Sequence, residues 1–140
     1  MERIEDCISF LTGKAAQQVA RRARERLAPH DVTPVQYAVL RALWEQDGQG
    51  GAQIGARLAI DSATTTGIID RLEAAGLLVR RPDAEDRRIH RVFLTPAGRT
   101  LQKPLDRVMD ELNAEIVAEM GAKEAAALWA ALRRLGGVKT

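Results

Sequence analysis

The sequence lacks the residues that mark disulfide-linked, secreted and membrane-spanning proteins. Its 140 residues include one cysteine, Cys7, so no internal disulfide can form, which is typical of a cytoplasmic protein. No apolar run approaches the roughly 20 residues that a membrane-spanning helix needs, so we expect no membrane partner. Glu2, Glu5 and Asp6 precede the first apolar segment, so we also expect no signal peptide. The length suits a single domain with one core.

The motifs of common enzymes and metal sites are also missing. The two histidines, His30 and His90, are far apart in sequence and have no nucleophile motif beside them. The chain contains no glycine-rich phosphate loop, no C-x-x-C and no H-E-x-x-H. We therefore expect neither an enzyme nor a protein that holds a metal or a cofactor.

The net positive charge is small, but the basic residues are concentrated in two clusters. The net charge is only +2, from 21 basic and 19 acidic residues. A protein that binds phosphate backbones must therefore gather its cations on one surface. The first cluster lies in a segment that we predict to be a hairpin and comprises Arg80, Arg81, Arg87, Arg88 and Arg91. The second lies on the first predicted helix and comprises Arg21, Arg22, Arg24 and Arg26.

Residues 52–95 predict a short helix, a turn, a second helix and a basic hairpin. The second helix follows the cap-like pair Asp61-Ser62 and ends at Gly76. Two strands, 77–81 and 89–94, flank a charged loop. The second helix has a stripe that we expect to be buried and an opposite, hydroxyl-rich face. The expected buried stripe comprises Thr65, Ile68, Ile69, Leu72 and Ala75. The hydroxyl-rich face comprises Ser62, Thr64, Thr66 and Arg71.

This arrangement suits duplex DNA. A helix fits the major groove, where hydroxyl groups near its N-terminus can contact base edges. An arginine at a hairpin tip can enter the minor groove. The alternative is a plain pair of helices whose threonines form an exposed face, but the basic hairpin favours DNA. We predict that Arg87 contacts DNA, and that Arg88 either contacts DNA or pairs with Asp70.

Two motifs carry a resemblance to a known family. Residues 83–88 (DAEDRR), which run into 92–99 (VFLTPAGR), match D-x-x-D-R-R followed by L-T-x-x-G, and residues 70–77 (DRLEAAGL) match D-R-L-E-x-x-G-L. The chain resembles the MarR family of winged helix-turn-helix transcription regulators over essentially its whole length. It departs from the family at Gly67, where a larger residue is common.

The resemblance implies a mainly α fold with a small β wing. Residues 1–140 would form a single domain, with a winged helix-turn-helix at about 34–95 and dimerisation helices at about 1–28 and 96–138. A homodimer would bind a near-palindromic operator, as a repressor, through Ser62, Thr64, Thr66, Arg71, Arg87 and Arg88. Open alternatives are a monomer whose terminal helices pack on each other and a winged fold that binds protein instead of DNA.

Helix boundaries outside this segment follow local signals. The apolar series from Ile4 to Leu27 predicts one long helix, and Thr33-Pro34 and Thr95-Pro96 predict N-caps with proline at the first helical position. The helix after Thr33 is expected to bury Val35. Pro104 should bend the following long helix near Thr100. A last helix should follow Gly121.

The resemblance also implies a small effector molecule. Residues 33–40 and 65–72 resemble the branch that represses aromatic-acid breakdown, whose effector is an aromatic acid or its coenzyme A thioester. By position, the binding cleft would be lined by Phe10, Lys14, Tyr37, Arg41, Trp44 and Met109. Arg22 and Arg26 share a helix face and could hold the coenzyme A phosphates. The alternatives are that the aromatic residues are core and the basic residues are solvated.

Cys7 suggests a competing, thiol-based signal. Peroxide-sensing relatives carry a lone cysteine near the start of the first helix, as here. They use tyrosines around the thiol, whereas Tyr37 is the only tyrosine of this chain. Glu5 and Asp6 should oppose ionisation of the thiol. We therefore expect Cys7 to be a small buried residue at the dimer interface, with peroxide sensing as the alternative.

Overall fold

The computed structural model describes residues 1–139, which form seven α-helices and one three-stranded antiparallel sheet. Short 3-10 turns at Ile4–Asp6 and Ala28–His30 flank the first helix. The helices are α1 Ile8–Leu27, α2 Pro34–Glu45, α3 Gly51–Leu58, α4 Ser62–Ala74, α5 Pro96–Thr100, α6 Gln102–Met120 and α7 Ala122–Leu135. The strands are β1 Gln49–Gly50, β2 Leu78–Pro82 and β3 His90–Leu94, in the order β1-β3-β2.

The predicted caps are confirmed. The Thr33 hydroxyl accepts a hydrogen bond from the Gln36 amide at 3.2 Å, and the Gln36 side chain accepts one from the Thr33 amide at 3.0 Å. This reciprocal pair is a capping box. Asp61 caps α4, and Thr95 caps α5. At the other end of α4, Gly76 has φ +78° and closes the helix in a left-handed conformation.

Three boundaries differ from the predictions. Cys7 is extended, so a 3-10 turn precedes an α1 that begins at Ile8. The helix with Pro104 is interrupted and not merely bent: α5 ends at Thr100 and α6 starts at Gln102, since proline cannot donate to the preceding turn. A short strand that we did not predict, β1, follows α2 and pairs with β3 through Gln49 and Val92.

The core lies where α2, α3 and α4 meet the sheet. Leu27 from α1 and Leu105 from α6 complete it, so the terminal helices are anchored on the helix-turn-helix lobe. Val35 is 38% exposed, contrary to our prediction, and Ala75 is also exposed because α4 ends just before it. The central core side chains are Val39, Leu40, Leu43, Ile54, Ile68, Ile69, Leu72, Leu78, Val92 and Leu94.

Helices α1 and α6 run antiparallel and are joined by ion pairs. The Arg22 guanidinium contacts Glu119 at 2.7 Å and Glu115 at 3.3 Å, and Arg26 also pairs with Glu115. The outer faces of the terminal helices carry apolar side chains that one chain does not cover: Ile8, Leu11, Val19, Leu132 and Leu135. Within residues 1–139, no helix combines the length and apolarity needed to cross a membrane.

Candidate nucleic-acid interface

Helices α3 and α4 form a tight helix-turn-helix. Thr65, 2% exposed, donates its hydroxyl to the Asp61 carbonyl at 2.8 Å. A Cβ atom at Gly55 would lie 2.9 Å from that hydroxyl oxygen and 3.0 Å from the Ile60 carbonyl oxygen. Gly55 therefore permits α4 to cross close to α3. Sequence reasoning missed this residue, although a glycine within a short helix is the kind of signal that marks close packing.

The predicted contact residues of α4 do not share one face: at about 100° per residue, Ser62 and Thr66 lie on one side of the helix and Thr64 and Arg71 lie nearly opposite. Ser62, Thr64, Thr66 and Arg71 are all exposed. The Thr64 hydroxyl donates to Asp61 Oδ2 at 2.8 Å, so its proton is already engaged in the cap. The hydrogen bond from the Thr64 amide stabilises the Asp61 carboxylate and lowers the pKa of Asp61. Thr64 can therefore offer a base only lone pairs and its methyl group.

A shallow recess of about 280 Å³ separates α3 from α4 beside these hydroxyl groups. Its walls are built mainly from small side chains, which would let a bulky ligand approach the backbone. Gly67 lies nearby on α4, and a Cβ atom there would meet no atom within 4 Å. The recess is lined by Gly51, Ala52, Gly55, Ala56, Ile60, Ser62, Thr65 and Thr66.

Most arginines of the β2–β3 hairpin are held by other groups. Arg91 contacts Asp83 at 3.2 Å and donates to the Gly48 carbonyl at 3.1 Å. The Arg81 guanidinium lies 5.4 Å from the centre of the Phe93 ring, within cation–π range. The pKa of Asp83 is lowered, first by the hydrogen bond from the Glu85 amide and then by Arg91.

The two arginines at the hairpin tip differ. Arg88 contacts Asp86 through Nε and Nη2 at 3.0 Å each, which lowers the pKa of Asp86. Arg88 therefore pairs with Asp86, which excludes one of its two predicted roles, the pairing with Asp70. Arg87 is exposed, and residues 1–139 give it no carboxylate partner. The acidic residues of the D-x-x-D-R-R motif thus fix Arg91 and Arg88 and leave Arg87 available.

Arg80 holds the hairpin against α4. Its guanidinium contacts Asp70 at 2.5 Å and Glu73 at 3.2 Å, and its amide donates to Glu73 at 3.0 Å. Its side chain is only 24% exposed. Sequence reasoning missed this residue. The available signal was the spacing of the two carboxylates, three residues apart on α4, just before the strand that carries Arg80.

The motif that follows β3 fastens the end of the hairpin. The Thr95 hydroxyl donates to the Gly76 carbonyl at 2.6 Å and accepts from the Gly98 amide at 3.1 Å. A Cβ atom at Gly98 would lie 2.2 Å from the Leu77 carbonyl oxygen, which no real side chain could occupy. L-T-x-x-G therefore joins the wing, the end of α4 and the start of α5 in one packed corner.

Three of the predicted effector residues lie together on α2. The Tyr37 hydroxyl donates to Asp106 Oδ1 at 2.9 Å, and Arg41 Nη1 donates to Asp106 Oδ2 at 2.9 Å. The Tyr37 and Trp44 rings meet edge to face, with centres 6.0 Å apart. Burial, followed by the bond to Asp106, raises the pKa of Tyr37. Met109 lies half-buried nearby on α6.

Phe10 and Lys14 do not join that group within one chain. The Arg22–Glu119 pair fixes the antiparallel register of α1 and α6. At 1.5 Å per residue, Lys14 lies about 12 Å from Arg22 in one direction, and Asp106 lies about 20 Å from Glu119 in the other. A cleft with all six predicted residues would therefore need a second chain to supply Phe10 and Lys14.

Arg22 and Arg26, suggested as phosphate ligands, are engaged with carboxylates. Their hydrogen bonds lower the pKa of Glu115, and the bond to Glu119 raises the pKa of Arg22. A phosphate would have to displace Glu115 and Glu119 to bind this pair of arginines.

Cys7 is partly exposed in the single chain. Its sulfur lies 3.2 Å from the Ser9 hydroxyl oxygen, and that hydrogen bond, with the amides of Phe10 and Ser9, lowers the pKa of Cys7. Contrary to our expectation from Glu5 and Asp6, the pKa of this thiol is therefore lowered, by hydrogen bonds at the start of α1. His, Cys, Asp and Glu side chains of residues 1–139 form no group able to hold a metal ion.

Comparison with known proteins identifies the family. The MarR family pattern matches residues 32–90. The HTH-type transcriptional regulator TtmR of Methylorubrum extorquens is 39% identical over 105 residues, which cover 75% of this chain and 54% of TtmR. The chain thus spans about half the length of that relative.

Solved structures match over nearly the whole chain. A probable transcriptional regulator from Pseudomonas aeruginosa is 32% identical, with a TM-score of 0.89 over 95% of this chain and 99% of that one. BpsR of Bordetella bronchiseptica, whose DNA binding is regulated by 6-hydroxynicotinic acid, is 27% identical, with a TM-score of 0.91 over 99% of both chains. These proteins share the winged helix-turn-helix fold predicted from the sequence, and none is an enzyme. The chain belongs to the MarR family of transcription regulators.

Proposed function

We propose that this protein is a homodimeric, sequence-specific DNA-binding repressor that an aromatic acid or its coenzyme A thioester releases from its operator. The observation that carries the proposal is that the wing is fastened to α4 by ion pairs while the hydroxyl groups of α4 and Arg87 of the wing stay exposed. Other charged side chains of the wing are bound to one another.

DNA binding would use both elements. The start of α4, with Ser62, Thr64 and Thr66, would enter the major groove, and Arg71 near its end would contact the backbone. Arg87 would reach the minor groove, and Arg88 would approach a phosphate while Asp86 holds it in place. The small residues between α3 and α4 would allow the duplex to come close.

A dimer would explain the terminal helices. Val19, Leu132 and Leu135 are 43%, 51% and 66% exposed in one chain, and a hollow of about 300 Å³ beside Trp129 separates α1, α6 and α7. Burying these side chains on a second copy would be favourable and would set two α4 helices one turn of DNA apart. The monomer alternative leaves the same side chains in water.

The effector would bind near Tyr37, Arg41 and Trp44. The two rings offer stacking surface, and Arg41 is a bidentate donor suited to a carboxylate. The similarity to BpsR supports an aromatic acid, since 6-hydroxynicotinic acid belongs to that class. A thioester would in addition need Arg22 and Arg26 to exchange glutamates for phosphates.

A linkage titration tests this function. Aromatic acids and their thioesters would be titrated into the protein with and without an operator duplex selected from random DNA. A hundredfold loss of operator affinity requires the ligand to prefer the DNA-incompetent state by about 2.7 kcal/mol. The operator must then weaken ligand binding by the same factor. Ligand binding that leaves operator affinity unchanged contradicts the proposed regulation.

The second candidate signal is oxidation of Cys7, favoured by the lowered pKa of its thiol. A thiolate reacts with peroxide to give a sulfenic acid. In that case peroxide would release the operator, Cys7→Ser would abolish the release, and Ser9→Ala would slow it. If Cys7→Ser keeps the full response to an aromatic ligand, the thiol is structural.

A further inference from the structure

Asp106 holds the two donors on α2 that are best suited to bind a carboxylate. Tyr37 and Arg41 lie four residues apart on one face of α2, and each donates to a different oxygen of Asp106 at 2.9 Å. A hydroxyl and a guanidinium converging on both oxygens of one carboxylate form a complete recognition site. The raised pKa of Tyr37 keeps its hydroxyl protonated as a donor.

From this contact we infer that Asp106 is an internal competitor of the effector: the carboxylate of a free aromatic acid binds Tyr37 and Arg41 in its place, and this exchange weakens the hold of α6 on α2. The inference rests on the proposed function and narrows it. It selects the free acid over the thioester, because a thioester has lost the carboxylate that would compete.

The site is accessible to such an exchange. The Arg41 side chain is 40% exposed and that of Asp106 is 26% exposed, so solvent reaches both partners. On its other side Asp106 borders an open groove of about 710 Å³ along α6. The displaced carboxylate can therefore turn into water, where its charge is solvated, while the aromatic acid keeps the guanidinium paired.

The exchange acts at one end of a series of ion pairs that runs from Asp106 on α6 through α2 to α3. Arg41 also contacts Glu45 at 3.6 Å, and Glu45 pairs with Arg57 on α3. These bonds keep α2 and α3 together when Asp106 leaves. Leu105 is fully buried and stays in the core, so α6 would tilt about Leu105 without detaching. The interruption at Leu101, four residues earlier, lets that tilt occur without bending a continuous helix.

The test compares binding of 4-fluorobenzoate by fluorine NMR in the full-length protein and its variants, without DNA. Asp106→Ala should bind about tenfold more tightly than wild type, because the internal competitor is gone. Asp106→Asn keeps the shape and should show a smaller gain. Glu111→Ala removes a like charge from an exposed position of α6 and should change affinity by less than about twofold. Adding Arg41→Ala to Asp106→Ala should abolish the gain.

Binding of the neutral 4-fluorobenzamide distinguishes recognition of the carboxylate from filling of a cavity. Its affinity should be no higher in any variant than in wild type. Equal affinity for 4-fluorobenzoate in wild type, Asp106→Ala and Asp106→Asn, with melting curves showing all three folded, overturns the inference. So does an equal gain in Glu111→Ala or an equal gain for the amide.

Operator binding completes the test. Asp106→Ala without ligand should mimic the effector and lower operator affinity, whereas Glu111→Ala should not. Unchanged operator affinity in Asp106→Ala overturns the weakening of α6. If the wild-type protein selects no operator, the proposed function fails, while the 4-fluorobenzoate comparison still decides whether Asp106 competes.

Discussion

At the scale of single residues, what matters on the wing is which arginines are already paired. Arg80, Arg88 and Arg91 each contact a carboxylate at 3.3 Å or less, and Arg81 lies over Phe93. A paired guanidinium gains less from a phosphate because the new contact replaces an existing one. This difference supports Arg87, the arginine that we predicted from the sequence to contact DNA, over the other four arginines of the hairpin.

Arg87→Ala should therefore weaken binding to all duplexes and reduce the slope of log affinity against log salt by about one, as for one lost phosphate contact. Fluorescence anisotropy at several salt concentrations measures both quantities. Arg24→Ala, which removes the same charge from exposed α1, is the matched control and should leave the slope unchanged. An unaltered affinity and slope in Arg87→Ala would show that the wing tip does not touch DNA.

Thr66 is the threonine of α4 better placed to recognise a base. It is exposed, whereas the hydroxyl proton of Thr64 is engaged by Asp61. Thr66→Ala should cost about 1–3 kcal/mol on the preferred operator and little on random DNA, if it makes a good base contact. Competition binding with selected and random duplexes measures the difference. Equal losses on both would assign Thr66 to positioning the protein on DNA.

At the scale of elements, helix caps could be predicted because neighbouring residues determine them. Strands that depend on pairing with a distant segment could not. Thr33, Asp61 and Thr95 cap helices because a side-chain oxygen meets an amide two or three residues on, a rule visible in the sequence. Strand β1 has two residues and is defined by its pairing with β3. Two residues are too few to show the alternation of apolar and polar residues that predicts a strand.

The candidate site divides in the same way. The sequence predicted that the hydroxyl-bearing side chains of α4 are exposed and that a basic hairpin follows, and both predictions are confirmed, since residue type suffices for them. Its alternative role for Arg88, pairing with Asp70, belongs to Arg80. Which arginine reaches Asp70 depends on how the hairpin twists onto α4, a tertiary property. Asp106 went unnoticed because its partners are 65 and 69 residues away.

The ion pairs between α1 and α6 predict an acid-sensitive contact. Arg26 and then Arg22 hold the pKa of Glu115 below its ordinary value of 4.5. A lowered folded-state pKa contributes stability above the unfolded value, and that contribution is lost as the pH falls through the folded value. Thermal melts between about pH 6 and pH 3 should therefore show a smaller acid loss in Glu115→Gln than in wild type.

Glu111→Gln, an exposed residue on the same helix, is the matched control for that series and should follow the wild-type curve. Parallel curves for wild type and Glu115→Gln would mean that the contact between α1 and α6 does not depend on this carboxylate.

At the scale of the whole molecule, the terminal helices are expected to form the dimer. Leu132→Glu places a charge on the exposed apolar side of α7 and should yield a monomer by sedimentation equilibrium, with weaker operator binding. Ala127→Glu adds the same charge about 140° around the helix and should leave the dimer intact. A wild-type protein that stays monomeric, or equal effects of the two variants, would contradict this assignment.

Sequence-specific DNA binding by the winged helix-turn-helix is the central claim, and one measurement tests it most directly. The affinity of the wild-type protein would be measured for a duplex selected from random DNA and for a permuted duplex of equal composition, over a range of salt concentrations. We expect the selected duplex to bind at least about 10³-fold more tightly, and both affinities to fall as salt rises. Equal affinity for the two duplexes, or no binding to either at low salt, would contradict the claim.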